Sequence, residues 1–484
     1  MMENLTQGPY QLYIGGEWQP ARGDAAFPVH NPADGTEIGW APEAGRDETR
    51  AAIDAAARAF PAWAARSAHD RAALLLQVRD LLLQHRGELA RLITREMGKP
   101  IRESRAEVTT TADIMTWYAE EGKRTYGETV PAHVPEKRIL VIKQPVGVAG
   151  VITPWNMPLS IIGRKIATAL AAGCTVVAKP AEQTPLTGIA LARLYHAAGF
   201  PPGVVNLVTG NPAEIGAELL ENPTVRKISF TGSTEVGKLL MRKAADQVKR
   251  ISLELGGHAP FIVFADADLD AAVAGLMATK FRNAGQTCSC ANRVYVQRPI
   301  FDLFQDKLTV AMARLWVGDG LDEQTDIGPI VDQQGMQKLL VQLADARSRG
   351  AEVYGAAPFG GDPPRFFPPM LLTRVTPDML VCREETFGPI VPLIPFDSEA
   401  EVIRTANDTR YGLVAYYYTR DLDRSIRVAE ALEYGVIGVN DAMPTVAHAP
   451  FGGLKESGIG KEGGHQGLAE FLDEKYLSIG LGKA

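Results

Sequence analysis

Apolar and polar positions change rhythm several times along this chain. Residues 44–98 carry a helical rhythm. In Ser67–Gly98 the positions Leu74, Leu75, Val78, Leu81 and Leu82 fall on one face, Ser67 with Asp70 three residues later makes an N-cap, and Gly98-Lys-Pro100 stops the helix. Residues 124–146 differ in kind, with scattered Pro and Gly and then a strand-like run at Arg138–Lys143. From 147 to 256 short apolar runs (147–152, 174–178, 204–208, 225–230, 249–255) alternate with helical segments (158–171, 185–198, 212–220, 234–245). That alternation predicts a parallel sheet covered by helices on both faces, with ligands bound beyond the carboxyl ends of its strands. Residues 258–445 continue less regularly as a second α/β unit. Lys475–Gly480 reads as a last strand with no neighbour in sequence. It needs a distant partner, and 138–143 is the free strand, within the chain or across a subunit boundary.

Composition narrows the function classes. The chain has 484 residues, 46% hydrophobic and 22% charged, enough for two or three packed domains. No apolar run approaches the roughly 20 residues that a membrane-spanning helix needs. The start, MMENLTQGPYQLYIGGEW, lacks the basic and apolar regions of a secretory signal. A net charge of −7 argues against a nucleic-acid partner. Four cysteines, Cys174, Cys288, Cys290 and Cys382, are too few for a disulfide framework. They point to the reducing cytoplasm, and no Cys/His spacing indicates a metal site.

Several strings carry chemistry. Asn283-Ala-Gly-Gln-Thr-Cys-Ser-Cys290 follows an Ala-rich helical segment (271–281), and Gly285 is expected to break that helix and place Cys288 in a loop. A cysteine there is either a small buried hydrophobe or a nucleophile, and the second reading requires partial exposure and a neighbour that stabilises the thiolate. Glu254 closes a strand, as a general base or as a salt-bridged strand-end acid would. Asn156, in Thr-Pro-Trp-Asn, is placed to donate to an oxyanion or to cap the next helix. Phe230-Thr-Gly-Ser233 is a strand, a glycine turn and a helix start, which suits a pyrophosphate. Lys179 and Glu182 end another strand, as partners for ribose hydroxyls or as surface charges.

Together, Pro154-Trp-Asn, Lys179-Pro-Ala-Glu, Phe230-Thr-Gly-Ser, Glu254-Leu-Gly-Gly, Asn283-x-Gly-Gln-x-Cys288, Glu384-Glu-x-Phe-Gly-Pro389 and Pro450-Phe-Gly-Gly-x-Lys-x-Ser-Gly458 resemble the aldehyde dehydrogenase superfamily in order and spacing, over essentially the whole chain. The resemblance implies an α/β fold with a variant Rossmann cofactor domain (1–123 and 147–257), a second α/β catalytic domain (258–446), β-strand oligomerisation segments (124–146 and 472–484) and an anchor loop with a C-terminal helix (447–471). It implies a homo-oligomer, dimer or tetramer. It assigns Cys288 as nucleophile, Glu254 as general base, Asn156 as oxyanion donor and Lys165 as the lysine that completes the site. Thr153, Pro154, Trp155, Lys179, Ala181, Glu182, Gly210, Phe230, Thr231, Gly232, Ser233, Leu255, Glu385 and Phe387 fall at cofactor positions. The reaction so implied forms a thiohemiacetal and then a thioester on Cys288, with hydride passing to a nicotinamide.

Within the superfamily, Lys280-Phe-Arg-Asn283, Cys-Ser-Cys at 288–290 and the ending Glu474-Lys-Tyr-Leu-Ser-Ile-Gly-Leu481 resemble succinate-semialdehyde dehydrogenases. Arg164 and Arg282 then match the binders of a distal carboxylate. Thr445 stands where that pattern has a serine, and the loop 441–448 departs from it, so the expected substrate is a small anionic aldehyde with a carboxylate or sulfonate tail. Cys290 is a candidate redox partner for Cys288. Glu182 should favour NAD, with NADP use still open because Lys179 lies beside it. A CoA-acylating enzyme would lack the base Glu254, and a non-catalytic descendant would have lost site residues that are all present here.

Overall fold

The computed structural model describes residues 5–482, so residues 1–4 and 483–484, which the boundaries above include, lie outside the described residues. Two sheets dominate it. The first has eight strands in the order Gly458–Ile459, Arg250–Glu254, Val225–Thr231, Val148–Ile152, Thr175–Lys179, Val205–Leu207, Leu12–Ile14, Glu17–Gln19. The five central strands are parallel. Their apolar runs are continuous because both faces are covered: Ala149, Val151, Val176 and Ala178 belong to one core, Val148 and Val177 to another. Helices Ala68–Gln84, Ile101–Glu121, Ser160–Ala172 and Pro185–Ala197 pack on the first face, and Arg46–Ala64, Pro212–Glu221 and Thr234–Ala244 on the second. The chain leaves Val148–Ile152 in one direction, to Thr175–Lys179, and later returns to its other side with Val225–Thr231. That reversal opens a crevice between the ends of Val148–Ile152 and Val225–Thr231.

The second sheet has seven strands, in the order Glu352–Tyr354, Met370–Thr373, Ile390–Phe396, Ala291–Gln297, Ala259–Val263, Val414–Tyr418, Val436–Val439. All its pairings are parallel except that of Glu352–Tyr354 with Met370–Thr373. A third sheet joins Leu472–Gly480 to Lys137–Pro145 and Glu128–Val130. The tail strand therefore finds its partner within the same chain, from Leu472 opposite Pro145 to Gly480 opposite Lys137. Among the described residues no helix is long and apolar enough to cross a membrane.

Three local expectations are corrected. Ser67–Gly98 is two helices, Ala68–Gln84 and Arg86–Met97, which meet at His85. Both ends hold as read: the Ser67 hydroxyl accepts from the Asp70 amide at 3.1 Å, and Gly98 stops the second helix at φ +93°. The helix ahead of the cysteine loop spans Leu269–Lys280 and ends before Gly285 does anything. The left-handed turn is already made by Asn283 (φ 53°) and Ala284 (φ 55°), which Gly285 (φ 75°) only completes. Finally, the longest helix, Ile101–Glu121, lies where no element was expected. Its Thr109-Thr110-Thr111 run is β-branched and blurs the helical rhythm.

Candidate active site

Four segments close around one cavity of about 330 Å³. The turn after Val148–Ile152 brings Asn156, the end of Arg250–Glu254 brings Glu254, and the left-handed loop after Leu269–Lys280 brings Cys288. Helix Ser160–Ala172 contributes Arg164. Arg282 and Thr445 line the same space, and so does Glu462, which the sequence reading did not single out.

The polar groups differ sharply in how they are satisfied. Both carboxylate oxygens of Glu254 are buried without a hydrogen-bond partner. Burial, helped by the charge of Glu462, raises its pKa well above the ordinary carboxylate range, against the pull of Lys165. Glu462 accepts from the Lys165 ammonium at 2.5 Å and pairs with Arg164 at 3.5 Å. Burial works upward on Glu462 as well, but Lys165 and Arg164 outweigh it and leave its pKa below the ordinary range. Lys165 also donates to Ser229 Oγ at 3.0 Å and is 1% exposed. It thus sits in the ion pair with Glu462, behind the cavity wall.

Cys288 is partly exposed and unpaired. Burial of its thiol, with Glu385 and Glu254 adding repulsion and Arg282 opposing, pushes its pKa up to about 12. Arg282 favours the thiolate, but burial and the neighbouring carboxylates outweigh it. Cys290 is fully buried, its sulfur 3.8 Å from the Lys280 carbonyl. Asn156 donates from Nδ2 to the Gln286 carbonyl at 3.1 Å, while its Oδ1 has no partner. Arg282 reaches the Met443 sulfur at 3.9 Å and holds no ion pair among the described residues. Thr445 is exposed at the rim.

The residues at the strand ends fit a dinucleotide. Helix Thr234–Ala244 opens on Ser233, whose hydroxyl accepts from the Val236 amide at 3.3 Å. A Cβ on Gly232 would collide with the Phe230 ring, so only glycine keeps that helix start open. The hydroxyls of Thr153 and Thr231 are buried without partners at the ends of the two strands that flank the crevice. Leu255 packs against Gly237 of the same helix, and Gly210 (φ +126°) lies on the backbone of Ala44, one strand away. Lys179 is 3% exposed, so it is no surface charge; its ammonium bonds Glu182, whose side chain is 39% exposed, just beyond Ala181. Glu385 accepts from the Gly257 amide at 2.9 Å, and burial pushes its pKa up to about 7. Phe387, at φ 55°, meets Trp155 edge to face at 5.5 Å, beside Pro154.

Residues 18–477 match the aldehyde dehydrogenase family. Over 471 residues the chain is 52% identical to the NADP(+) succinate-semialdehyde dehydrogenase GabD of Escherichia coli (strain K12), covering 97% of this chain and 98% of that one. It is 50% identical over 472 residues to glutarate-semialdehyde dehydrogenase of Pseudomonas putida, again covering 97% and 98%. The crystal structure of succinate-semialdehyde dehydrogenase from Burkholderia pseudomallei superposes with a TM-score of 0.97 at 48% identity, covering 99% of this chain and 100% of that one. The chain belongs to the aldehyde dehydrogenase family and is an enzyme that oxidises aldehydes with a pyridine nucleotide.

Proposed function

We propose that the enzyme oxidises an aldehyde with an anionic tail, succinate semialdehyde first among them, through a thioester on Cys288. The carrying observation is the one cavity in which a free thiol, an unpartnered buried carboxylate and a side-chain amide meet Arg282, which holds no ion pair among the described residues. Arg282 takes the tail through charge-assisted hydrogen bonds, with Arg164 and the Thr445 hydroxyl beside it. The neutral Cys288 thiol gives up its proton as sulfur adds to the carbonyl carbon. Glu254, with a raised pKa and free oxygens, is the base poised for that proton at working pH. Asn156 Nδ2 and the Cys288 amide hold the oxyanion of the thiohemiacetal; one such donor is typically worth about 3 kcal/mol. A bound nicotinamide supplies the hydride acceptor, with Glu385 at its ribose and Phe387 at its ring. Once Glu254 has passed the thiol's proton to solvent, it takes a second proton from the water that attacks the thioester, and the Cys288 sulfur leaves and is reprotonated. Lys165 keeps Glu462 ionic, and that charge in turn keeps the Glu254 pKa high.

Thr153, Pro154, Trp155, Phe230, Thr231, Gly232 and Ser233 form the phosphate and nicotinamide end of the cofactor site, and Lys179, Ala181, Glu182, Gly210 and Leu255 its adenosine end. Glu182 favours NAD, with NADP accepted more weakly. The enzyme works in the cytoplasm as a homo-oligomer built through the strand pair Lys137–Pro145 and Leu472–Gly480; four free cysteines and the exposed apolar Tyr476 and Ile479 on that strand support these readings. The proposed division is 1–123 with 147–257 for the cofactor, 258–446 for catalysis, 124–146 with 472–484 for assembly, and 447–471 as the anchor, whose strand Gly458–Ile459 pairs with Arg250–Glu254 of the cofactor sheet. Residues 442–447, with exposed Met443 and Val446, line one end of the cavity and favour a second reading, a longer or sulfonated aldehyde such as glutarate semialdehyde or sulfolactaldehyde. Cys290, buried against Lys280, is a packing residue before it is a redox partner.

The test is NADH absorbance with succinate semialdehyde, glutarate semialdehyde, a sulfonate analogue and butanal, each with and without CoA. Turnover of an anionic aldehyde without CoA, well above butanal, is the expected result. Equal rates with butanal, or a strict need for CoA, would overturn the reading.

A further inference from the structure

Facing Asn156 across its own turn is a buried ion pair that the reaction scheme above does not use. Lys99 is 2% exposed and Glu107, on helix Ile101–Glu121, is 5% exposed. The Lys99 ammonium donates to Glu107 Oε2 at 2.7 Å and to the backbone carbonyl of Asn156 at 2.8 Å. The other carboxylate oxygen of Glu107 accepts from the amides of Leu159 at 2.9 Å and Ser160 at 3.0 Å. One ion pair therefore grips the Asn156 turn at both ends, at its own carbonyl and where the next helix begins.

The same carbonyl is tied to the nucleophile's loop. Asn283 Nδ2 donates to the Asn156 carbonyl at 3.0 Å and to the Gln286 carbonyl at 3.2 Å, and Asn156 Nδ2 reaches that same Gln286 carbonyl at 3.1 Å. One turn before Glu107, Glu103 accepts from the Asn283 amide at 2.8 Å. Lys99 is itself held fast. Gly98 just before it is left-handed, and Gly320 and Gly328 pack so closely on the Gly98-Lys99 backbone that a Cβ on either would collide with it. A buried ion pair is rarely the most stable way to fill such a corner, because apolar side chains of similar volume do as well or better. What it supplies is direction: hydrogen bonds at fixed angles to chosen backbone atoms.

We infer that Lys99 and Glu107 are positioning residues, whose ion pair sets the Asn156 amide against the Cys288 loop through the Asn156 carbonyl and the Leu159 and Ser160 amides. The inference rests on the assignment of Asn156 as the oxyanion donor. A residue that acts only through another should cost nothing once that other is gone, and a double-mutant cycle reads this directly.

The experiment measures kcat and KM with an anionic aldehyde for Lys99→Met and Glu107→Gln, each in the wild-type and the Asn156→Ala background. Glu107→Gln keeps an oxygen for the two amides and so preserves the helix start; it carries the test if Lys99→Met does not fold, as judged by melting and nucleotide binding. The expected result is a loss of about tenfold in kcat for either variant, with nucleotide KM unchanged, shrinking to less than about twofold in the Asn156→Ala background. Losses that multiply in that background, or no loss in either single variant while Asn156→Ala is crippled, overturn the positioning role. Undiminished kcat in Asn156→Ala alone overturns the oxyanion assignment, and the inference with it.

Discussion

The catalytic cavity has two walls of opposite character. On the strand-end wall, Glu254, Thr231 and the Asn156 Oδ1 are buried with polar atoms left unpaired. On the other wall Lys99 pairs with Glu107 and Arg164 with Glu462, Lys165 joins Glu462 from behind, and the Arg164 Nε is left without a partner. An unpaired buried polar atom costs about 1–3 kcal/mol, so a fold keeps several in one place only when something else uses them. In the proposed reaction the paired wall serves mainly as scaffold, with Arg164 also facing the substrate's tail, and the unpaired wall is where substrate, water and cofactor complete the hydrogen bonding. Substitutions on the first wall should therefore cost activity and spare stability, and those on the second should cost stability.

The largest effect is expected at Cys288, which belongs to neither network. Cys288→Ser should lower kcat by at least about 10⁴-fold, the scale seen when a nucleophile is removed, without lowering the melting temperature or weakening nucleotide binding. A variant that keeps a tenth of wild-type turnover would remove Cys288 from the mechanism.

Glu254→Gln comes next, with kcat down by about 10²–10⁴-fold. Because Glu254 also takes the thiol's proton in the proposed reaction, the NADH burst that precedes hydrolysis should slow in the variant as well. Wild-type kcat should rise through a limb well above pH 4.5, because the Glu254 pKa is raised, and the variant should lack that limb. Stability runs the other way. Between the unfolded value near 4.5 and the raised folded value, the native state binds the extra proton, so Glu254 destabilises the fold increasingly as pH rises. Glu254→Gln should thus melt higher than wild type at pH 8 and gain little at pH 4.

On the paired wall the sign reverses. Glu462→Gln leaves Lys165 and Arg164 buried without their carboxylate, at an expected cost of about 3–5 kcal/mol at pH 7. The Glu462 pKa lies below its ordinary 4.5, so its stabilisation is full above that value and fades as pH falls through the depressed folded one. The melting gap between wild type and variant should therefore close in acid. A gap that widens in acid would show that Glu462 carries a proton in the fold.

Arg282→Ala should cut kcat/KM for succinate semialdehyde by at least about tenfold, or ~1.4 kcal/mol, and barely touch butanal. Proportional loss with both aldehydes would mean damage to the Cys288 loop, where Arg282 lies one residue before the left-handed turn.

The division between the walls also marks what the sequence reveals. The central strands show as apolar runs because a parallel sheet is buried on both faces, whereas Leu12–Ile14 and Glu17–Gln19 are too short to stand out, although Gly15-Gly16 between them is a hairpin signal. The residues of the unpaired wall sit at strand ends and in glycine turns, so each is a local oddity and the ordered set points to a family. Glu462 is no such oddity. It meets Lys165 across 297 positions, and Lys99 meets Asn156 across 57, so nothing near either residue betrays its partner. Pairing over such separations is a product of topology and becomes visible only when the chain is folded.

The smallest expected effect lies outside both walls, at the adenosine end. Glu182 is partly exposed and its carboxylate already engages the buried Lys179 ammonium. A nucleotide 2′-phosphate there would meet the carboxylate while losing the lysine to it. Two like charges at about 4 Å repel by ~1 kcal/mol in water and ~4 kcal/mol near a protein surface, and exposure keeps Glu182 toward the low end. Wild type should therefore prefer NAD in kcat/KM by only about five- to tenfold. Glu182→Ser should erase that preference, because it removes the repulsion and frees Lys179 for the phosphate. Raising the ionic strength should narrow the gap in wild type more than in the variant, since a partly exposed charge is screened. A wild-type enzyme that uses NADP as well as NAD, or a Glu182→Ser enzyme with an unchanged ratio, would show that the nucleotide is chosen elsewhere along the strand ends.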